Sequence, residues 1–175
     1  MNLNSNDFEL WGLETRFEQD PSLIDARWKA LQAEVHPDRF VTQGRVAQSL
    51  AMQWSVRVNE AYRRLKDPLK RAAYLCELRG YPVQSDAHPQ MPRDFLMQQM
   101  AWREALEESQ TVTARVQLKE DIQASREQAF ISLAYFLDDH PDAGQAVQWL
   151  CRLMFLDRLL QDLRRHGADD AAVPI

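Results

Sequence analysis

The sequence has five glycines, two cysteines, no long apolar run and no excess of basic residues. Glycines are few and apolar residues recur at helical rather than alternating spacing over long windows, so no strand is predicted and the expected class is all-α. Cys76 and Cys151 are far apart, each inside an apolar helical pattern, which argues for buried reduced thiols in a reducing cytoplasm rather than for a disulfide or a metal site. No stretch approaches the ~20 apolar residues needed to cross a bilayer, and residues 1–13 lack a basic start followed by an apolar run. The chain is therefore expected to be soluble, unexported and without a membrane partner. The first 80 residues carry twelve basic against eleven acidic side chains and the remainder nine against fifteen, within a net charge of −5. No segment is basic enough to be a nucleic-acid footprint.

What is present is amphipathic helix. With 175 residues and 45% hydrophobic content, the chain can build one large domain or two small ones. Asn6 to Leu13 reads as a short capped helix ended by Gly12. Asp20-Pro21 supplies a cap followed by proline at the first helical position. Ile24, Trp28, Leu31 and Val35 then share one face of a helix, and Ala47, Leu50, Trp54, Val58, Ala61 and Leu65 repeat at steps of three or four over 44–66. Asp67-Pro68 starts another helix through Leu78. Two long amphipathic helices joined by a short loop predict an antiparallel hairpin, flanked here by shorter helices, over residues 1–78. Residues 79–91 have the composition of a connector. Three helices follow, at about 92–108, 111–138 and 142–165, forming a bundle over 92–166, with a frayed tail at 167–175. On this pattern Trp28, Trp54 and Trp149 belong to the core.

Between the two long helices stands His36-Pro37-Asp38. Pro37 lacks an N–H and biases His36 away from the α region, so the helix through Val35 should stop there. Asp38 is expected to hold the turn by accepting from nearby backbone donors. That leaves His36 and Asp38 at a tip presented by a rigid two-helix base, with Arg27 and Lys29 on the preceding helix. The same tripeptide recurs as His140-Pro141-Asp142, where the simplest reading is that Asp142 caps the last helix.

The helix starting near Asp94 has two apolar faces. At about 100° per residue, Phe95, Trp102 and Leu106 fall together, while Leu96, Met97 and Met100 are centred about 150° away, with Glu104 and Glu108 beside them. Periodicity does not decide whether that second face is covered or left as an acidic-rimmed apolar patch. In the last helix Trp149, Leu153, Leu156, Leu160 and Leu163 form the seam, and Phe155, about 110° off it, is placed to extend the patch.

The His-Pro-Asp turn between amphipathic helices, answered by Asn59-Glu60-Ala61-Tyr62-Arg63-Arg64-Leu65-Lys66-Asp67-Pro68, resembles the J-domain, the module that docks on DnaK-class chaperones and stimulates their ATP hydrolysis. With the acidic bundle, its Phe-Leu-Met leading into Trp-Arg-Glu-Ala-Leu-Glu-Glu, and a late Leu-Met-Phe-Leu-Asp-Arg-Leu, the whole chain is similar to the HscB family of bacterial co-chaperones of iron–sulfur cluster assembly. The resemblance implies an HscA-type chaperone as partner of His36, Pro37, Asp38, Arg27 and Lys29. It implies an IscU-type scaffold protein as partner of Leu96, Met97, Met100, Glu104, Glu108 and Phe155. No cofactor and no metal site follow from it, and an adaptor of this kind is not an enzyme.

Other functions remain on the sequence alone. A J-domain adaptor could deliver a different client, since residues 1–78 define only the chaperone class. An acid/base pair of His36 and Asp38 lacks the nucleophile, phosphate loop or metal ligands that catalysis needs beside it. A helix-turn-helix DNA binder is disfavoured by the near-neutral first half.

Overall fold

The structure, a computed structural model, describes residues 5–83, 91–109 and 111–169, with side chains as far as 165 at the C-terminal end. It is helical and divides into two compact units, Met1–Leu78 and Arg79–Ile175.

In the first unit α1 spans Asp7–Trp11, α2 Pro21–Val35, α3 Arg45–Lys66 and α4 Pro68–Leu78. Local chemistry sets these boundaries. The Asn6 side chain accepts from the Glu9 N–H while the Glu9 side chain accepts from the Asn6 N–H, a capping box that opens α1. Gly12, at φ 62, closes it in the left-handed region. Asp20 caps α2 through the Ser22 N–H, with Pro21 at the first helical position, and Asp67 accepts from Leu69 and Lys70 at the head of α4.

The core of this unit gathers Phe8, Trp11, Ile24, Val35, Ala51, Val58, Ala61, Leu65, Ala72, Leu75 and Cys76. Tyr74 stacks on Phe8, and Tyr62 lies between Trp11 and Trp28. Two charged residues are buried with this set. Asp7 is held by Arg57 and Arg64. Arg71 donates from Nε to the Phe17 carbonyl at 2.7 Å, and from Nη1 to the Leu65 carbonyl.

A polar ladder pairs α2 with α3. Asn59 accepts from Trp28 at 3.0 Å and Gln32 at 2.6 Å, and Asp25 accepts from Tyr62 at 3.0 Å and Lys66 at 2.7 Å. The Lys66 hydrogen bond holds the Asp25 carboxyl below its ordinary value of 3.8, with Tyr62 adding to the effect and partial desolvation opposing it. A carboxyl depressed in the folded state contributes stability above its unfolded pKa and loses it as pH falls through the folded value. The gap in urea midpoint between the parent and Asp25→Asn is therefore expected to stay constant from about pH 8 to 5 and to close below pH 4. A gap that persisted at pH 2 would remove the ion pair from the explanation.

In the second unit α5 spans Arg93–Glu108, α6 Val112–Ala134 and α7 Ala143–Asp169; α6 runs into a π-helical turn, Tyr135–Asp139. Thr111 caps α6 through the Ala114 N–H. Asp142 caps α7 by accepting from the Gln145 N–H at 3.0 Å, as the sequence predicts. Phe95, Trp102 and Leu106 of α5 are buried, as are Leu118, Ile122, Ala129 and Leu133 of α6 and Ala146, Leu150, Leu153, Leu156, Leu159, Leu160 and Leu163 of α7. Arg126 of α6 pairs with Asp157 of α7. Of the expected connector, residues 84–90 lie outside the described residues. Of the expected tail, 167–169 continue α7 and 170–175 lie outside them.

Two expectations about the core are corrected. Trp28, Trp54 and Trp149 are half-buried, whereas the fully packed tryptophans are Trp11 and Trp102. Trp28 lies at the edge of the core, where its indole N–H donates to Asn59. Leu50 is exposed and Ala51 takes its place in the core. Leu50 falls at the edge of the arc that Ala51, Val58, Ala61 and Leu65 bury, about 100° from Ala51 and close to the start of α3, where its side chain stays in water.

Candidate partner-binding sites

The tip of the first unit is built by the interruption itself. α2 ends at Val35, His36 adopts an extended conformation at ψ 124, and a 3-10 helix, Pro37–Gln43, follows. The turn is not held as expected. The His36 side chain does the capping, its Nδ1 accepting from the Asp38 N–H at 3.3 Å, which requires Nδ1 to be unprotonated. Arg39 donates to the Ala33 carbonyl at 2.8 Å and so satisfies an acceptor left open at the end of α2. The Asp38 carboxylate makes no backbone hydrogen bond among the described residues; it lies 3.7 Å from His36 Nδ1, with its side chain 85% exposed.

Pro37 is half-buried between two exposed neighbours. Arg27 and Lys29 are also exposed, but at about 100° per residue they leave α2 some 160° apart and do not share a face. Lys29 is on the side of Asp25, whose carboxyl it helps to depress. The sequence gives no warning of a second property of the tip: Val41, Val46 and Leu50 are exposed, so apolar side chains flank the charged turn. Spacing alone assigned Leu50 to the core.

On the second unit the open question about α5 is settled by exposure. Leu96, Met97 and Met100 are 46%, 63% and 72% exposed. Glu104 and Glu108 are exposed beside them. Three large apolar side chains on one open helix face, rimmed by carboxylates, have the composition of a protein-docking surface. Phe155 joins this face to the core. It is half-buried, packs edge-on against Phe95 at 5.9 Å between centroids and lies under the Arg103 guanidinium at 5.6 Å. Arg152, one turn before it on α7, stacks over Phe95 at 4.9 Å and Trp149 at 4.2 Å. The sequence reading passed over both arginines, because nothing in periodicity shows which cations stack on which rings.

Among the described residues no group of His, Cys, Asp and Glu is arranged to hold a metal, and no helix is long and apolar enough to cross a membrane. Cys76 is buried and Cys151 half-buried, and neither is in a disulfide among the described residues; burial pushes the Cys151 thiol above its usual pKa, so it is protonated at neutral pH.

Residues 91–164 match a family model described as the HSCB C-terminal oligomerisation domain. Over 157 residues the chain is 43% identical to the co-chaperone protein HscB homolog of Bordetella petrii, covering 89% of this chain and 92% of that one. The chain belongs to the HscB family of co-chaperones. The HscB homolog of Azoarcus sp. is 40% identical over 174 residues, 98% of this chain and 96% of the relative. Among solved structures, the chaperone HscB of Vibrio cholerae superposes with a TM-score of 0.80 at 32% identity, covering 94% of this chain and 99% of that one. The human HscB co-chaperone shares the fold at a TM-score of 0.87 and 23% identity, covering 95% and 84%. The first unit of this HscB-family chain is thus a J-domain, with its His-Pro-Asp at the turn, and the second is the family's C-terminal helical domain.

Proposed function

We propose that this HscB-family chain is a cytoplasmic adaptor in iron–sulfur cluster assembly. In this reading His36, Pro37 and Asp38 engage an HscA-type chaperone of the DnaK class and stimulate its ATP hydrolysis, with Arg27 or Lys29, on opposite sides of α2, adding a basic contact. The bundle holds an IscU-type scaffold protein through Leu96, Met97, Met100, Glu104, Glu108 and Phe155. The observation that carries the reading is the open Leu96, Met97 and Met100 face on a chain whose other unit presents an exposed His-Pro-Asp turn.

The adaptor needs no catalytic groups. His36 and Asp38 are both exposed at the tip, and in this reading their role is contact. What the protein contributes is effective concentration: a client held on the chain that docks the chaperone meets it in an effectively intramolecular step.

Steady-state ATP hydrolysis by an HscA-type chaperone tests this. Stimulation by the protein is expected, with a further rise when an IscU-type scaffold is added. Stimulation indifferent to the scaffold would keep the J-domain role and discard the client.

A further inference from the structure

The docking face is apolar and acidic along α5, yet where α5 meets α7 it carries two cations. Arg103 is exposed and lies on the Phe155 ring; Arg152 is half-buried over Phe95 and Trp149, and Phe95 packs against Phe155. Neither guanidinium has an ion-pair partner within 4 Å among the described residues, and Arg152 Nε is buried with no hydrogen-bond partner. Leaving a buried donor unmade is costly, and a donor on a charged group more so. Burial also works against the charge on Arg152, lowering its pKa from the ordinary guanidinium value, and the Asp94 carboxylate offsets this only in part. Such a group gains when a carboxylate is brought to it, because guanidinium and carboxylate match in charge and in geometry.

We propose that Arg103 and Arg152 form a cationic clamp, braced on Phe155 and Phe95, that receives a carboxylate of the docked scaffold protein. The inference rests on the bundle being the scaffold-binding unit. It adds polarity to the contact: the scaffold presents an acidic group to the Phe95 and Phe155 edge and basic groups to Glu104 and Glu108. Charge of both signs on one face admits the partner in one orientation and penalises the reverse.

Calorimetric titration of the full chain with a purified IscU-type scaffold tests this at low and moderate salt. Arg103→Gln and Arg152→Gln are each expected to weaken binding about tenfold and to flatten its salt dependence. Arg152→Lys keeps the charge and should recover part of the loss, which a purely structural role for the planar stack would not allow. Thermal melts of all variants are read alongside. Because Arg103 is exposed, its variant tests the clamp even if Arg152→Gln unfolds.

A Leu96→Ala/Met100→Ala/Phe155→Ala variant separates the failures. If it loses binding while Arg103→Gln and Arg152→Gln bind as the parent does, the clamp is wrong and the docking face stands. If the triple variant binds normally, the docking face falls and the clamp with it.

Discussion

Replacing Asp7 with alanine is expected to destabilise the J-domain by about 3–5 kcal/mol, measured by urea unfolding of the full chain with tryptophan fluorescence as the readout. Asp7 is the only fully buried acid among the described residues, with Oδ1 2.6 Å from Arg57 Nη1 and Oδ2 3.0 Å from Arg64 Nη1. Each arginine is tied in elsewhere. Arg57 also donates to the Ser5 carbonyl at 3.0 Å, and Arg64 lies 4.5 Å above the Tyr74 ring, whose hydroxyl accepts from the Asp7 N–H.

Removing the carboxylate leaves two partly buried cations facing each other with nothing between them. That loss exceeds what the pair adds when intact, since forming it costs the desolvation of three charges. α1 has only five residues, far too few to be stable alone, so this cluster and the packing of Phe8 and Trp11 keep it in place. A loss of a few kcal/mol is a large share of the ~5–15 kcal/mol that holds a typical domain together. In a double-mutant cycle, adding Arg57→Ala to Asp7→Ala should cost much less than the sum of the single effects. Additivity would mean that the pair is not coupled.

Asp7 also marks where sequence reading stops. An acid in the first turn of a capped helix reads as a favourable helix-end charge; its partners lie 50 and 57 residues away, beyond the reach of any local pattern. What was legible was local: Asn6 with Glu9, Asp20 with Pro21, Asp67 with Pro68 and Asp142 with Gln145 each act over three residues or fewer, and the starts of α1, α2, α4 and α7 follow from them. Amphipathic spacing was legible to the extent that it named a face. It did not say whether a neighbour reaches that face, and so it misplaced Leu50 and left Leu96, Met97 and Met100 undecided. The family motif located the tip, but the tip's internal bonding, with His36 rather than Asp38 as the cap, is visible only in the folded turn.

That bonding gives the two His-Pro-Asp copies opposite expected phenotypes. Asp142 uses its carboxylate to cap α7 through the Gln145 N–H, whereas the Asp38 carboxylate points into water and holds no backbone donor among the described residues. Asp142→Ala should therefore cost about 1 kcal/mol of stability, as the loss of an N-cap does, and leave chaperone stimulation intact. Asp38→Asn should do the reverse. The Asp38 N–H still donates to His36 Nδ1 in that variant, so the turn is kept, and the carboxylate is exposed and caps nothing, so the thermal midpoint should stay within about 3 °C of the parent.

Stimulation of ATP hydrolysis by Asp38→Asn, by contrast, should fall at least about tenfold, because a carboxylate desolvated against a partner's donors is worth upwards of roughly 2 kcal/mol in the complex. If Asp38→Asn stimulates as well as the parent, Asp38 is not a contact and the proposed tip is misassigned. If Asp142→Ala loses stimulation without losing stability, the second copy is more than a helix cap.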